Sequence, residues 1–192
     1  MVAVQSTMLE LGTPVPYFDL PSPALKRNFS NDDFHGKPLL VIFMCNHCPY
    51  VKHILGGLSE YAREYGLLGI DIVAINSNDA VNYPDDGPEI MLELSRHYDL
   101  SFPYLVDSAQ TVAKAFRAVC TPEFFLFDID EKLVYRGQFD DSRPRNDIPV
   151  SGEDLRRASS QLLSGGAPDL DQKPSIGCSI KWLPGQEPHY AQ

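Results

Sequence analysis

The hydrophobic period of this chain changes abruptly at Cys45-Asn46-His47-Cys48-Pro49. On the N-terminal side, Leu39 to Met44 is a short continuous apolar run, the pattern of a strand buried on both faces. On the C-terminal side, Val51, Ile54, Leu55, Leu58, Ala62 and Tyr65 recur at helical spacing, which predicts a helix that opens at Pro49 and stops at Gly66. Proline fits the first helical position because its missing N–H would be unpaired there anyway. A buried strand that hands over to a helix through so short a turn belongs to an α/β sheet covered on both sides.

The rest of the chain repeats that alternation. Ile70–Ile75 is a second buried strand, followed by a polar loop over Asn76–Gly87 and a helix from Pro88 through His97. Tyr104–Val106 and a short helix over Thr111–Phe116 come next, then close strands at Phe124–Phe127 and Leu133–Tyr135, a hairpin at one sheet edge. Ser151, with Asp154 three residues on, predicts the start of a last helix that ends before Gly165-Gly166. Ahead of this body, prolines punctuate an entry segment in which Tyr17–Leu20 reads as an edge strand. Residues 166–192 read as an irregular tail, with Ile176, Ile180 and Trp182 able to pin it. The expectation is one domain over 1–192, with a core over 12–165.

Charge narrows the function. Sixteen Lys and Arg against 26 Asp and Glu give a net charge of -10 and no basic stripe, which argues against nucleic acid and against an anionic membrane. Met1–Leu11 lacks the basic start and apolar run of a secretion signal, so cytoplasmic residence is the default expectation. In a reducing compartment four cysteines are expected to be free, catalytic or metal-bound.

Cys45 and Cys48 have the C-x-x-C spacing of a redox dithiol at a strand-to-helix junction. The nucleophile must be a thiolate, and a helix N-terminus stabilises one through its unpaired N–H groups and dipole. Pro49 puts Cys48 at that terminus and leaves Cys45 in the preceding turn. One turn after Cys48, where the second sulfur of such a dithiol is expected, stands Val51, so the motif is shifted by a turn. Flanking acidic residues, including Asp71, Asp79 and Asp85-Asp86, read as solvated loop charges.

The run Phe43–Lys52 resembles the strand, turn and helix start of the thioredoxin and peroxiredoxin superfamily, with Cys48 at the nucleophilic position. Thr121-Pro122 resembles that superfamily's cis-proline element. Together with Gly-Cys-Ser-Ile-Lys-Trp near the C-terminus, Cys-Asn-His-Cys-Pro-Tyr-Val-Lys is similar to a bacterial peroxiredoxin-like (AhpC-TSA type) subgroup of redoxins. The resemblance implies a thioredoxin-like fold, a central mixed sheet flanked by helices, and a thiol-dependent oxidoreductase without cofactor. It also implies that Thr121 presents its backbone beside Cys48, open to an extended substrate. Val41 and Cys45 stand where a peroxiredoxin carries proline and threonine, so thiol–disulfide exchange is expected ahead of fast peroxidase chemistry.

Several residues stay open. Cys120 is either close enough to take part or a buried small residue, and His47 either lowers the thiol pKa or is a solvated turn residue. Cys178 is either a resolving thiol or inert, because pairing requires Cα atoms within about 7 Å, a distance that sequence does not set. The leading function has Cys48 attack a disulfide or peroxide, with Cys45 or Cys178 resolving the product and a dithiol as reductant. The alternative is soft-metal binding, copper or zinc, by Cys45, His47 and Cys48.

Overall fold

The computed structural model describes residues 3–166 and 169–191. In chain order the strands and helices are β1 (Ala3–Gln5), β2 (Asp19–Ser22), β3 (Arg27–Ser30), β4 (Leu39–Phe43), α1 (Pro49–Leu67), β5 (Asp71–Asn76), α2 (Pro88–His97), β6 (Tyr104–Val106), α3 (Thr111–Ala115), β7 (Cys120–Thr121), β8 (Glu123–Phe127), β9 (Leu133–Gly137), α4 (Glu153–Leu163) and β10 (Ile176–Ser179). The central sheet is mixed and has the order β6-β5-β4-β8-β9. Its β4, β5 and β6 run parallel through helical crossovers, whereas β8 and β9 pair antiparallel, the expected edge hairpin.

Strand alternation divides the core into two layers. Leu40 and Ile42 of β4, Ile72 and Ala74 of β5 and Phe124 and Leu126 of β8 face α1 and α4, where they meet Ile54, Leu55, Leu58 and Leu155. Leu39, Val41 and Phe43, with Val73, Ile75, Phe125 and Phe127, face α3 and the β2–β3 hairpin. All five positions of β4 are buried, which explains why its sequence is a continuous apolar run. Each large side chain so buried stabilises the fold by about 1.5–3 kcal/mol, and the result is a rigid support for the residues after Phe43.

The helix ends differ from the sequence expectation in instructive ways. Helix α1 runs past Gly66 because its stop signal is Gly69, at φ +105°. The Gly69 N–H bonds to the Gly66 carbonyl and the Ile70 N–H to that of Tyr65, a Schellman closure that needs the left-handed residue at 69. Helix α4 is capped from outside. Gly152 is the N-cap at φ +67°, and the Asp140 carboxylate accepts from Ser151 N at 2.7 Å and Gly152 N at 2.6 Å.

The extremities hold more structure than the sequence suggested. The entry strand falls at Asp19–Ser22 and pairs with β3, which has one apolar residue, Phe29, and so gave no alternating signal. The segment read as an irregular tail carries β10. That strand lies between β1 and β7 in a second sheet of order β1-β10-β7, and it crosses directly over the candidate thiols.

Candidate active site

Cys48 is the N-cap residue of α1, with extended backbone (φ -66°, ψ 121°) and Pro49 as the first helical residue. Its side chain is fully buried, as are those of Cys45, Cys120 and Cys178, and all four cysteines are free thiols. The Cys48 Sγ lies 3.1 Å from the Thr121 carbonyl oxygen, to which its thiol donates, and the Thr121–Pro122 bond is cis. Cys45 is on the other side of Thr121, its Sγ 3.3 Å from the threonine Oγ1.

The three sulfurs of Cys45, Cys48 and Cys178 form one cluster with Cys48 at its centre. When Cys48 ionises it accepts hydrogen bonds from the Cys178 and Cys45 thiols, and these hold its pKa well below that of an ordinary thiol. Burial opposes the shift, and the Thr121 side chain lowers the pKa further. The Val51 N–H at the third helical position aims at the sulfur without closing a full cap bond, so the helix end adds to the effect without dominating it. Cys178 and Cys45 move the opposite way. Donation to Cys48 followed by burial holds both thiols protonated, and the nearby Asp86 charge raises Cys45 further.

The turn between the two motif cysteines is fastened by a residue that sequence misplaced. Asp86, read as a solvated loop charge, is 1% exposed. Its Oδ1 accepts from the backbone N–H groups of Asn46 (2.8 Å) and His47 (3.2 Å), and its Oδ2 from His47 Nδ1 (2.5 Å) and Asn78 Nδ2 (2.7 Å). Around it, Asn76 Nδ2 donates to the Asp86 carbonyl and the Tyr104 hydroxyl donates to Asn46 Oδ1. The His47 ring stacks on Tyr83 with centroids 5.9 Å apart, so His47 is an ordered member of the site wall and not a solvated turn residue. Asp79, from the same loop, is also buried, and its carboxylate accepts from Asn82 and Val81.

Among the described residues, ligand atoms of Cys45, His47 and Asp86 lie within 4.8 Å of one another. This is not the set expected for a soft metal. Cys48 is not part of this group, its Sγ lying against the Thr121 carbonyl, and the Asp86 oxygens already accept from four donors. The group is a hydrogen-bonded brace for the turn.

Cys120 is packed behind the cis-proline, its Sγ 3.8 Å from both the Pro122 carbonyl and Glu123 Oε2, and burial pushes its pKa far up. It is a small core residue with no contact to Cys48 among these hydrogen bonds. Glu123 is a second residue that sequence did not single out. Wholly buried, it accepts from Val119 N (2.9 Å) and Cys120 N (3.3 Å) and thereby holds the peptide that leads into Thr121. The surrounding phenylalanines of β8 gave no hint of a carboxyl in need of partners, although an acidic residue inside a buried apolar strand is itself such a signal.

Thr121 does not present a free edge. Cys178 of β10 is its antiparallel partner and Ser179 is that of Cys120, so the ladder that an extended substrate would use is filled by the chain itself. The sequence reading left Cys178 undecided between resolving and inert. The structure brings it to Cys48.

The thioredoxin domain of a thiol-disulfide oxidoreductase from Bacteroides vulgatus superposes with a TM-score of 0.57 at 19% identity, covering 67% of this chain and 88% of that one, so the fold is thioredoxin-like. That fold, together with an AhpC/TSA family match and a curated thiol-disulfide oxidoreductase relative, defines the class: a redoxin, a thiol-dependent oxidoreductase. The model of the AhpC/TSA family matches residues 11–136, and the chain belongs to that family. It is 24% identical over 126 residues to the thiol-disulfide oxidoreductase ResA of Bacillus thuringiensis subsp. konkukian, covering 66% of this chain and 68% of the relative. An uncharacterized conserved protein from Geobacillus kaustophilus is far nearer, at 49% identity and a TM-score of 0.94 over 96% of this chain and 98% of that one. That span includes the C-terminal segment beyond the family match.

Proposed function

We propose that the protein catalyses thiol–disulfide exchange with Cys48 as the nucleophile and a dithiol as the ultimate reductant. The observation that carries this reading is the position of the Cys48 sulfur at the start of α1 beside the Cys45 and Cys178 thiols, which lower its pKa and make it the one acidic sulfur of a three-thiol cluster. The thiolate attacks a sulfur of the disulfide, a mixed disulfide forms on Cys48, and one substrate thiolate leaves. A second cluster thiol then attacks Cys48 and releases the other half. Exchange is favoured over rapid peroxide reduction because Val41 and Cys45 occupy the positions that a peroxiredoxin fills with proline and threonine. The name of the Bacillus relative points to the same chemistry.

Each Cys→Ser variant, incubated with 2-hydroxyethyl disulfide and a dithiol donor, tests the assignment. Cys48→Ser is expected to lower turnover to the uncatalysed rate, while Cys120→Ser keeps it. Full activity in Cys48→Ser would overturn the proposal.

A further inference from the structure

The β7 edge is where the molecule departs from an open thiol site. A strand that adds to a sheet edge gains its hold from main-chain hydrogen bonds, and here β10 takes that place beside Thr121 with Cys178 in register. Gly177 makes the approach possible. A Cβ at that position would lie 2.0 Å from the Thr121 carbonyl oxygen, so only glycine lets the strand come close enough for the next side chain to meet Cys48.

The strand is held at both ends. Before it, the Gln138 N–H donates to the Lys173 carbonyl and the Ser6 N–H to the Ser175 carbonyl; after it, Ile180 N–H donates to the Val119 carbonyl and Lys181 N–H to Asn78 Oδ1 at 2.8 Å. The Gln110 side chain finishes the clamp, donating to the Lys181 carbonyl and accepting from Leu183 N. On the side away from β7, β1 pairs along β10. This is an element built into a sheet, with no free end to peel away.

We propose that Ile176–Ser179 is a resolving arm: Cys178 closes the disulfide with Cys48, and the arm, by filling the β7 edge, restricts the oxidised substrate to a low-molecular-weight disulfide. The inference rests on Cys48 being the nucleophile proposed above. The Cys48 thiolate attacks RS–SR, the S–S bond breaks, and Cys48–S–SR forms as RS⁻ leaves. RS⁻ takes the proton of Cys178, whose sulfur attacks Cys48 Sγ and expels the second RS⁻. One disulfide is reduced by two electrons, one protein disulfide is formed, and an external dithiol reduces that in turn.

Cys45 is the competitor for the same step, and its surroundings are worse for an attacking anion. It shares its space with the Asp86 carboxylate, whereas Lys181, three residues beyond Cys178, brings a positive charge to the arm. A small disulfide needs the side chains above Cys48 to part. A protein disulfide needs the whole clamped strand to leave.

The test compares two probes, 2-hydroxyethyl disulfide and insulin, with the full chain and with Cys178→Ser and Cys45→Ser. After one equivalent of 2-hydroxyethyl disulfide without reductant, peptide mapping is expected to find Cys48 joined to Cys178. In Cys178→Ser the mixed disulfide on Cys48 is expected to accumulate, at least tenfold above its level in Cys45→Ser. Insulin is expected to be reduced at no more than a tenth of the small probe's rate by the unaltered chain. A Cys45–Cys48 product in the unaltered chain, or equal rates on the two probes, would overturn the inference and leave Cys48 as nucleophile. Absence of any adduct on Cys48 would instead sink the underlying function, and circular dichroism of each variant separates either result from misfolding.

Discussion

Cys45 and Cys178 both lower the pKa of Cys48, yet they reach it through opposite kinds of structure. Cys45 is held locally, on a turn whose N–H groups converge on the buried carboxylate of Asp86. Cys178 comes from the far end of the chain on a strand fitted between β1 and β7. The comparison teaches that one reactive sulfur can be supplied with two donors of different charge environment, one near an anion and one near a cation. Both thiols neighbour Cys48, and electrostatics separates them.

The most severe way to break this arrangement is at the turn. In Asp86→Ala the two backbone donors of the turn, the His47 ring and the Asn78 amide lose their common acceptor in a dry site. Leaving a buried donor without its acceptor costs about 1–3 kcal/mol for each group, and four donors lose theirs here. The unfolding free energy from urea melts is expected to fall by at least the cost of one such donor, and cross-linking of Cys48 to Cys178 should survive at low denaturant because the arm's pairing with β1 and β7 and its Gln110 clamp do not involve Asp86. A variant as stable as the parent would show that Asp86 does not brace the turn.

Next in size is the arm itself. Gly177→Ala puts a methyl against the Thr121 carbonyl, which is backbone and cannot swing aside. Overpacking of this kind costs about 1–3 kcal/mol, and the relief open to the molecule is for β10 to lift from β7. Cys48, fully buried in the parent, should then become accessible, so its alkylation by iodoacetamide at neutral pH is expected to rise several-fold while α1 and the central sheet stay folded. Unchanged alkylation would mean that β10 does not control access to the sulfur.

The same contrast explains what was legible in the sequence. Buried elements of the central sheet announced themselves, since β4 is apolar throughout and β5 and β8 are apolar apart from their terminal residues, and helices α1 and α2 began where Pro49 and Pro88 placed them. Cys48 at the helix start followed from that pattern. What escaped were residues whose role depends on pairing over a distance. Asp86 looks like any loop acid until the fold turns its carboxylate onto the Asn46 and His47 amides, and β10 contains only Ile-Gly-Cys-Ser, too short and too mixed to declare a strand. The Asp140 cap of α4 was hidden for the same reason, because the acceptor lies outside the helix it caps.

The finest probe of the two donors is alkaline pH. In the folded protein both Cys45 and Cys178 have raised pKa values, so they keep their protons where an unfolded thiol, with a pKa of about 8.5, has lost its own. For a group raised in the fold, the stabilising contribution is full below the unfolded pKa and is lost as pH rises above it. The slope is about 1.4 kcal/mol per pH unit for each proton retained. Cys48 is shifted the other way and adds nothing to this loss, since it is ionised in both states above that pH. Urea melts under reductant between pH 8 and 10 should therefore lose stability with a slope that decreases by about one proton's worth in Cys45→Ser and again by about one in Cys178→Ser. Lysines and tyrosines titrate in the same range, but they are common to all variants and cancel in the difference. An unchanged slope in Cys178→Ser would mean that its thiol is not held protonated against Cys48, and the arm would then be packing without chemistry.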